Sequence, residues 1–431
     1  ENPNLKRRIG LALYRQARLD EAAATAISVG VYGASQAGKS YLVSALAKGK
    51  GESVSARIGD REVNFLTEIN PSGGKESTGL VTRFTYQPAA AIKGFPVKIN
   101  LLSELDLVKI IANSFYEDLE SDAEQDIAPR IAAAQKTLAE DCNPAPSSVT
   151  LEDVVDLSFY CDKHFSNQKY YAALKQTGYW ARLEQLGPTC DLRSRHKLYN
   201  LLWDRSAPYD RLFNHLSNTL AQLGGATTLM CEPSALFEIQ GENWARTENS
   251  IINVVALDSL GSGTERQGQV IKGNQTAKPA TVGIGTLSAL AAEITVNIGG
   301  TPHEFFAEAD LLDFPGARSR HPIARERFDE TGRFPVEHFL RGKVAFLFER
   351  YCNTFGMSAL LLCVGPSNQE VVGLNRLIED WIADAVGTRP EQRDGLPVNL
   401  FTILTKFDTE FGMDAGKATD ESRWNTRLTA S

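Results

Sequence analysis

The stretch that decides the fold is Ala26-Ile27-Ser28-Val29-Gly30-Val31-Tyr32, followed at once by Gly33-Ala34-Ser35-Gln36-Ala37-Gly38-Lys39-Ser40. The first seven residues are β-prone and helical character resumes over residues 41–48, so the order is strand, loop, helix. The loop matches the pattern Gly-x-x-x-x-Gly-Lys-Ser, whose glycines let the backbone wrap closely around phosphate groups. Its N–H groups and the N-terminus of the next helix supply positive potential. The stretch therefore predicts a phosphate-binding loop.

Two side chains of this loop have expected roles. Lys39 is expected to reach the β- and γ-phosphates of a nucleotide, and the Ser40 hydroxyl is expected to ligate Mg²⁺. The candidate nucleotide-binding residues in this part of the chain are Gly33, Ala34, Ser35, Gln36, Ala37, Gly38, Lys39, Ser40 and Tyr41.

Composition narrows the class of protein. The 431 residues carry 45 Lys and Arg against 53 Asp and Glu, a net charge of -8. This balance argues against a nucleic-acid binder, which gains affinity from Lys and Arg that neutralise phosphates. No apolar run reaches the roughly 18 residues of a membrane-spanning helix. The 6 cysteines form no Cys-x-x-Cys pair and the 6 histidines are scattered, so we expect reduced thiols and no metal site built from protein ligands alone.

Two later motifs each end a predicted apolar strand. In Leu311-Leu312-Asp313-Phe314-Pro315-Gly316, the Asp313 carboxylate can hold Mg²⁺ through water, and the Gly316 N–H can meet a γ-phosphate. In Leu404-Thr405-Lys406-Phe407-Asp408, the Asp408 carboxylate can accept hydrogen bonds from N1–H and the 2-amino group of guanine, a donor pair that adenine lacks. The Lys406 stem can lie across the base. These motifs predict a guanine-nucleotide site.

A hydroxyl that senses the γ-phosphate is expected on a loop before the second strand, which we predict at residues 81–87. Thr82 is our choice for this Mg²⁺ ligand. Thr78 is the competitor, because sequence spacing alone does not separate the two. The metal ligands expected from the sequence are therefore Ser40, Thr82 and Asp313.

Together these motifs resemble the dynamin superfamily of large GTPases. The resemblance rests on the phosphate loop and on Ser77-Thr78-Gly79-Leu80-Val81-Thr82-Arg83, Asp313-Phe314-Pro315-Gly316 and Thr405-Lys406-Phe407-Asp408. Over its whole length, with a wide helical segment, the chain is similar to the bacterial putative virulence factor SrfC family. The resemblance implies a Mg²⁺-dependent GTPase whose nucleotide-binding heads meet in a dimer, with Thr82 rather than Thr78 as the switch threonine.

The resemblance also shows where this chain departs from the pattern. Dynamin-like loops usually read Gln-Ser before Ala-Gly-Lys-Ser, whereas this chain reads Ser35-Gln36. Gln36 thus takes the place of a charge-compensating serine or an arginine finger. Ala317 replaces the water-orienting Gln of small GTPases, which predicts slow turnover by a lone monomer. The candidate catalytic residues are Ser35, Gln36, Lys39 and Thr82.

Four arginines follow this motif: Arg318, Arg320, Arg325 and Arg327. We expect them to form a solvated basic region, partly balanced by Glu326 and Asp329. The alternative is that one of them acts in trans across a dimer.

The predicted fold class is α/β, a P-loop GTPase domain with a mostly parallel sheet, helices on both faces and a large α-helical insertion between the two switches. The expected divisions are an N-terminal amphipathic helix (1–25), a first GTPase part (26–102), the insertion (103–257), a flexible loop (258–286) and a second GTPase part (287–431). Few residues follow Asp408, so the last strand and closing helix of such a domain are expected to be missing or supplied by another segment.

The expected function is hydrolysis of GTP to GDP and phosphate, with a non-hydrolysing guanine-nucleotide switch and an ATPase as alternatives. The expected partners are guanine nucleotide with Mg²⁺ and a second copy through the GTPase face, and the helical insertion is a possible protein-binding surface. The resemblance implies a bacterial cytoplasmic location, with peripheral membrane contact or delivery as a virulence factor as alternatives.

Overall fold

The computed structural model describes residues 3–70, 78–87, 92–120, 127–273, 278–317, 322–330, 336–365 and 374–406. Within them the α-helices are α1 (Pro3–Ala23), α2 (Lys39–Ala47), α3 (Glu104–Asp118), α4 (Ile127–Ala139), α5 (Leu151–Phe165), α6 (Lys169–Gln176), α7 (Tyr179–Leu186), α8 (Leu192–Tyr199), α9 (Ala207–Gln222), α10 (Ile284–Leu290), α11 (Arg325–Glu330), α12 (Val336–Asn353), α13 (Leu374–Ala385) and α14 (Pro390–Arg393). The strands are β1 (Ile27–Gly33), β2 (Ser55–Ile58), β3 (Arg61–Asn64), β4 (Val81–Thr85), β5 (Val97–Leu101), β6 (Thr228–Cys231), β7 (Phe237–Gln240), β8 (Asn243–Arg246), β9 (Gln267–Lys272), β10 (Ala280–Gly283), β11 (Ala291–Ile298), β12 (Ala309–Asp313), β13 (Ala359–Val364) and β14 (Leu400–Leu404).

One large mixed sheet organises the described residues. Its main path runs β10-β9-β6-β5-β11-β4-β12-β1-β13-β14, and β2 joins β11 while β3 joins β2. β1 lies parallel between β12 and β13, β14 continues parallel to β13, and β11 lies parallel to β4. The other pairings are antiparallel. The predicted α/β sheet is present, and its parallel order is concentrated around β1.

The antiparallel half is where the sheet departs from the expected parallel order. Antiparallel neighbours need no crossover helix, so a short connection is sufficient. Only Gly59 and Asp60 separate β2 from β3. Short connections of this kind let the chain extend the sheet with four-residue strands.

The centre of the sheet is buried on both faces. Successive residues of a strand point to opposite faces, and both Val31 and Tyr32 of β1 are at most 1% exposed. The Tyr32 ring stacks on Phe348 of α12, with the ring centroids 4.0 Å apart. α2 contacts β1 and β12. The strand that leads into the predicted phosphate loop is therefore held in place by packing.

Seven of the described α-helices, α3–α9, lie between β5 and β6 in chain order, within the expected insertion. α3 begins with a capping box between Ser103 and Asp106, and it packs on α12. The Ser114 hydroxyl of α3 donates 2.9 Å hydrogen bonds to the carbonyls of Ile110 and His338. These helices share one continuous core with the sheet. β6 lies within residues 103–257 and pairs with β5, so part of this segment belongs to the main sheet.

Residues 258–286 differ from the expected flexible loop. They contain β9, β10 and the start of α10. The Glu265 carboxylate accepts 2.8 Å hydrogen bonds from the N–H groups of Gly261 and Thr286, which pins the glycine-rich turn to the helix. The Gly and Ser content of this segment suggested mobility. At Gly268, however, the absence of a Cβ allows close packing, because a Cβ there would lie 2.8 Å from the Ile284 side chain.

The N-terminal segment, expected to form an amphipathic helix over residues 1–25, contains the helix α1 at Pro3–Ala23. Arg7 faces the protein, donating 2.7 Å to the Ser158 hydroxyl and pairing with Glu184 at 2.9 Å. Leu5 and Leu13 are 53% and 66% exposed. Part of its basic face is therefore bound to the protein while leucines face solvent. Among the described helices, none has the length and apolar character needed to cross a membrane.

Candidate functional site

The candidate site begins where β1 ends. β13 pairs with β1 so that Gly33 lies opposite Cys363, and a Cβ on Gly33 would clash with the Cys363 carbonyl oxygen. Glycine is therefore required for this close approach of two strands. Ala317 N donates 3.2 Å to the Gly33 carbonyl, and Ser35 N donates 3.3 Å to the Ala317 carbonyl. The loop is thus held between β13 and the segment that follows β12.

The loop ends at the N-terminus of α2. Gly38 is the N-cap, with φ 86° in the left-handed region that favours glycine, and no side chain caps the helix. The first N–H groups of a helix have no intrahelical acceptor, and the helix dipole makes that end positive. A phosphate group is the kind of ligand that satisfies both features.

Lys39 lies at the centre of the loop and is 5% exposed. Its Nζ donates 2.8 Å to the Ala34 carbonyl and 3.3 Å to the Gly33 carbonyl. Two of the contacts of this ammonium are therefore with carbonyl oxygens of the loop. An anionic phosphate would be a stronger acceptor for it than these carbonyls.

Asp313 and Thr82 are brought together by the sheet. Asp313 is the last residue of β12, and its register partners are Val31 of β1 and Thr82 of β4. Side chains directly opposite each other in a sheet share a face. The adjacent Gly316 precedes Ala317, which is bonded to the phosphate loop. Asp313 and Thr82, two of the three expected metal ligands, are therefore opposite each other on adjacent strands, and Asp313 lies on the strand next to β1.

The setting of Thr82 differs from the expectation. Thr82 was expected on a loop, whereas it is the second residue of β4 and is 3% exposed. Val81, Thr82 and Thr85 are β-branched and Phe84 is aromatic, a composition that favours the strand β4. Thr78 lies outside the strand, in an isolated bridge with Asn253. The role of either threonine stays a prediction.

Thr405 has a contact that the sequence did not predict. Its hydroxyl donates to the Ala37 carbonyl of the phosphate loop and, at 3.3 Å, to the Val364 carbonyl. Lys406 follows with φ 55° and an exposed side chain. Asp408 lies outside the described residues. The motif expected to read the base thus also ties β14 to the phosphate loop.

The remaining loop residues are open to solvent to differing degrees. Ser40 and Gln36 are exposed, Ser35 is half-buried, and Tyr41 is 82% exposed on the first turn of α2. Gln36 has φ 62°, a left-handed conformation that is uncommon for a residue with a Cβ. Ala37 is buried. Ser35, Gln36 and Ser40, the loop residues predicted to have catalytic or metal-binding roles, are therefore at least partly accessible to solvent, whereas Lys39 is buried.

Of the arginines expected near the site, Arg318 and Arg320 lie outside the described residues. Arg325 begins α11 and its guanidinium lies 4.4 Å from the centroid of the Phe115 ring, with Asp204 at 3.8 Å. This corrects the expectation of a wholly solvated region, because Arg325 packs against the helical segment. Arg327 is exposed, as expected.

Cys363 is a neighbour of the site that sequence reasoning missed. Burial raises the pKa of its thiol to about 11, Lys39 opposes that rise and Asp313 adds to it. The thiol therefore stays neutral at pH 7 and is a packing group. Its position near the end of an apolar strand, two residues before Gly365, was the available signal.

Within the described ranges, no three His, Cys, Asp or Glu side chains come together as a metal site. Mg²⁺ commonly takes one or two protein oxygens and completes its shell with phosphates and water. The exposed Ser40 hydroxyl and the half-buried Asp313 carboxylate fit that pattern.

Comparison with known proteins gives a family. No curated protein matches the sequence significantly. The family model described as "Putative bacterial virulence factor" matches residues 2–431. Because this match covers nearly the whole chain, the protein belongs to that family.

Proposed function

We propose that this protein binds GTP with Mg²⁺ at the phosphate loop and hydrolyses it to GDP and phosphate, as a dynamin-like GTPase of the SrfC type. The observation that carries the proposal is the uncapped N-terminus of α2, beside a buried Lys39 whose Nζ is held by two backbone carbonyls. A triphosphate would accept hydrogen bonds from Lys39 Nζ and from N–H groups at the start of α2. The neighbouring Asp313 carboxylate supports the binding of Mg²⁺. The Thr-Lys-x-Asp sequence at residues 405–408 supports guanine as the base.

The chemical step would rest on positioning and electrostatics. Loop N–H groups and Lys39 would bind the β- and γ-phosphates, and the Gly316 N–H would bind the γ-phosphate. Ser40 and Asp313 would hold Mg²⁺, which supplies positive charge against the phosphate oxygens when bound. Gln36 is exposed and in a left-handed conformation, so it can reach a phosphate only as a neutral donor. The charge that a lone monomer lacks would come from a second copy across the nucleotide site.

Isothermal titration with GTP and Mg²⁺ tests the binding proposal. Lys39→Ala is expected to lower affinity by at least about a hundredfold, because a charge-assisted contact to phosphate is lost. Lys48→Ala is the matched control, since Lys48 is exposed at the other end of α2. Equal GTP affinity in Lys39→Ala and wild type would refute the site.

The strongest alternative is a guanine-nucleotide switch without hydrolysis, favoured by Ala317 and by the Ser35-Gln36 order. Single-turnover rates separate the two. A rate that rises with protein concentration supports the dimerising GTPase, whereas a flat rate near zero supports the switch. The ATPase alternative predicts that ATP displaces labelled GDP as well as GTP does.

A further inference from the structure

A cavity of about 620 Å³ lies beside the end of β5. Its walls come from α1, from the first turns of α3, α5 and α8, from the end of α9 and from the last turns of α12. Pockets that bind small molecules commonly have volumes of roughly 300–1,000 Å³. None of the described residues that line the cavity belongs to the candidate nucleotide site. The cavity is therefore a candidate for a second ligand site.

Part of the cavity wall is apolar. The side chains of Leu105, Leu220 and Phe346 line it, and each of these residues is at most 7% exposed. They belong to α3, α9 and α12, so the apolar surface comes from three different helices. Apolar surface of this kind favours a ligand with a hydrocarbon body, because contact with that body removes both surfaces from water.

Carboxylates also line the cavity, and two of them are neutralised by cations. Glu104 forms a bidentate pair with Arg195, with N–O distances of 2.6 and 2.7 Å. The Asp156 carboxylate accepts a hydrogen bond from Lys109 Nζ at 2.5 Å. All four side chains line the cavity, and their charges cancel in pairs.

The other carboxylates of the described lining cap helices. Asp106 and Asp153 belong to the capping boxes that begin α3 and α5. Asp191 caps α8 by accepting a 2.7 Å hydrogen bond from Ser194 N. The N–H groups and the dipole at a helix N-terminus favour negative charge, so these three carboxylates are also offset where they lie.

Arg350 differs from the other charged residues of the cavity. Its guanidinium lies 3.7 Å from Asp106 Oδ2, beyond hydrogen-bond distance, and its side chain is 29% exposed. Among the described residues, this guanidinium makes no hydrogen bond. Arg18, the remaining cation of the lining, donates 2.8 Å to the Tyr14 hydroxyl. A guanidinium has five N–H donors in a planar fork that matches a carboxylate, so Arg350 is suited to binding an anion in the cavity.

We propose that this cavity binds a small organic acid, with the carboxylate of the ligand on Arg350 and its hydrocarbon body against Leu105, Leu220 and Phe346. The charge-assisted hydrogen bonds to Arg350 orient the ligand, and burial of the hydrocarbon body adds affinity. The site uses no residue of the candidate nucleotide site and does not depend on the proposed function.

Isothermal titration with octanoate tests the site, because octanoate carries one carboxylate on an apolar chain. We expect a Kd of roughly 0.1–1 mM, which suits a ligand of about ten non-hydrogen atoms. 1-Octanol has the same chain without the charge, and it should bind at least about tenfold more weakly. Acetate has the carboxylate without the chain, and it should also bind at least about tenfold more weakly.

Variants of Arg350 locate the binding. Arg350→Gln should weaken octanoate binding at least about tenfold, with circular dichroism as in wild type, because no hydrogen bond to a described residue is lost. Arg350→Lys keeps the charge and loses the fork, so its octanoate affinity should fall between those of wild type and Arg350→Gln. Arg193→Gln is the matched control and should bind octanoate as wild type does, since Arg193 is exposed on α8 and does not line the cavity.

Three results would overturn the assignment. The first is the absence of octanoate binding by wild type at up to about 10 mM. The second is binding of 1-octanol or acetate as tight as that of octanoate. The third is equal octanoate affinity in Arg350→Gln and wild type. In that case Arg350 only stabilises the C-terminal end of α12, where a cation is favoured by the helix dipole.

Discussion

The contact between Thr405 and the phosphate loop predicts a specific defect in Thr405→Val. This change keeps the shape of the side chain and removes the hydroxyl that donates to Ala37 O and, at 3.3 Å, to Val364 O. Val364 O keeps its bond from the Thr405 N–H at 3.0 Å. The substitution therefore removes a hydrogen-bond donor chiefly from the Ala37 carbonyl of the loop.

The magnitude follows from that geometry. A side-chain hydrogen bond contributes about 1 kcal/mol net, and a buried partner left unsatisfied costs about 1–3 kcal/mol. Ala37 is 4% exposed, so water replaces the lost donor poorly. We expect Thr405→Val to lower the free energy of unfolding by about 2 kcal/mol. If the loop binds nucleotide as we propose, affinity should fall about tenfold and equally for GTP and GDP, because the loop would contact phosphates that both share.

Urea unfolding and isothermal titration measure both quantities. Thr402→Val is the control, because it makes the same chemical change at an exposed position of the same strand. If Thr405→Val unfolds like the control and loses only its preference for GTP over ATP, then Thr405 acts on the base and the loop-holding role is wrong.

Two further predictions concern the core around the site. Arg83 forms ion pairs with Glu293 at 3.0 Å and with Asp310 at 2.9 Å. Arg83→Met leaves these two carboxylates buried without a cation, so urea unfolding should show a free energy of unfolding lower by about 3–5 kcal/mol. A decrease of less than about 1 kcal/mol would contradict this prediction. Burial lowers the pKa of Lys343 from 10.5 to about 7. Between those values the unfolded chain binds a proton that the folded chain lacks, so the free energy of unfolding rises with pH. Lys343→Met should abolish that rise. It should also stabilise the protein at pH 7 by on the order of 2 kcal/mol, a figure that allows for the lost hydrogen bond to the Ser288 carbonyl. If urea unfolding shows the same dependence of the free energy of unfolding on pH between pH 7 and 10 as in wild type, the prediction is wrong.

The strands that carry the candidate site were predictable because their signals are local. β1 is observed at Ile27–Gly33, within one residue of the predicted strand at residues 26–32, and β12 ends at Asp313, where the motif predicted the end of a strand. The glycine spacing of the phosphate loop identifies a backbone conformation, which Gly38 adopts.

The unpredicted features depend on residues far apart in the chain. The hydrogen bond between Thr405 and Ala37 joins positions 368 apart, so no local pattern could reveal it. β2, β3, β6, β7, β8 and β10 are short, and pairing with neighbours stabilises them more than their own composition does. Periodicity identified α1 as amphipathic, but it does not say which face meets the protein. Arg7 contacts Ser158 of α5 and Glu184 of α7, which are far from it in the sequence.

A crystal structure of the protein grown with GDP and Mg²⁺ tests the central claim most directly. We predict that the phosphates lie against the backbone N–H groups of residues 33–41 and that Lys39 Nζ leaves the Ala34 carbonyl to bind the β-phosphate. The guanine base should lie beside Lys406 and Asp408. A nucleotide bound elsewhere, with Lys39 still bonded to Ala34, would contradict the account.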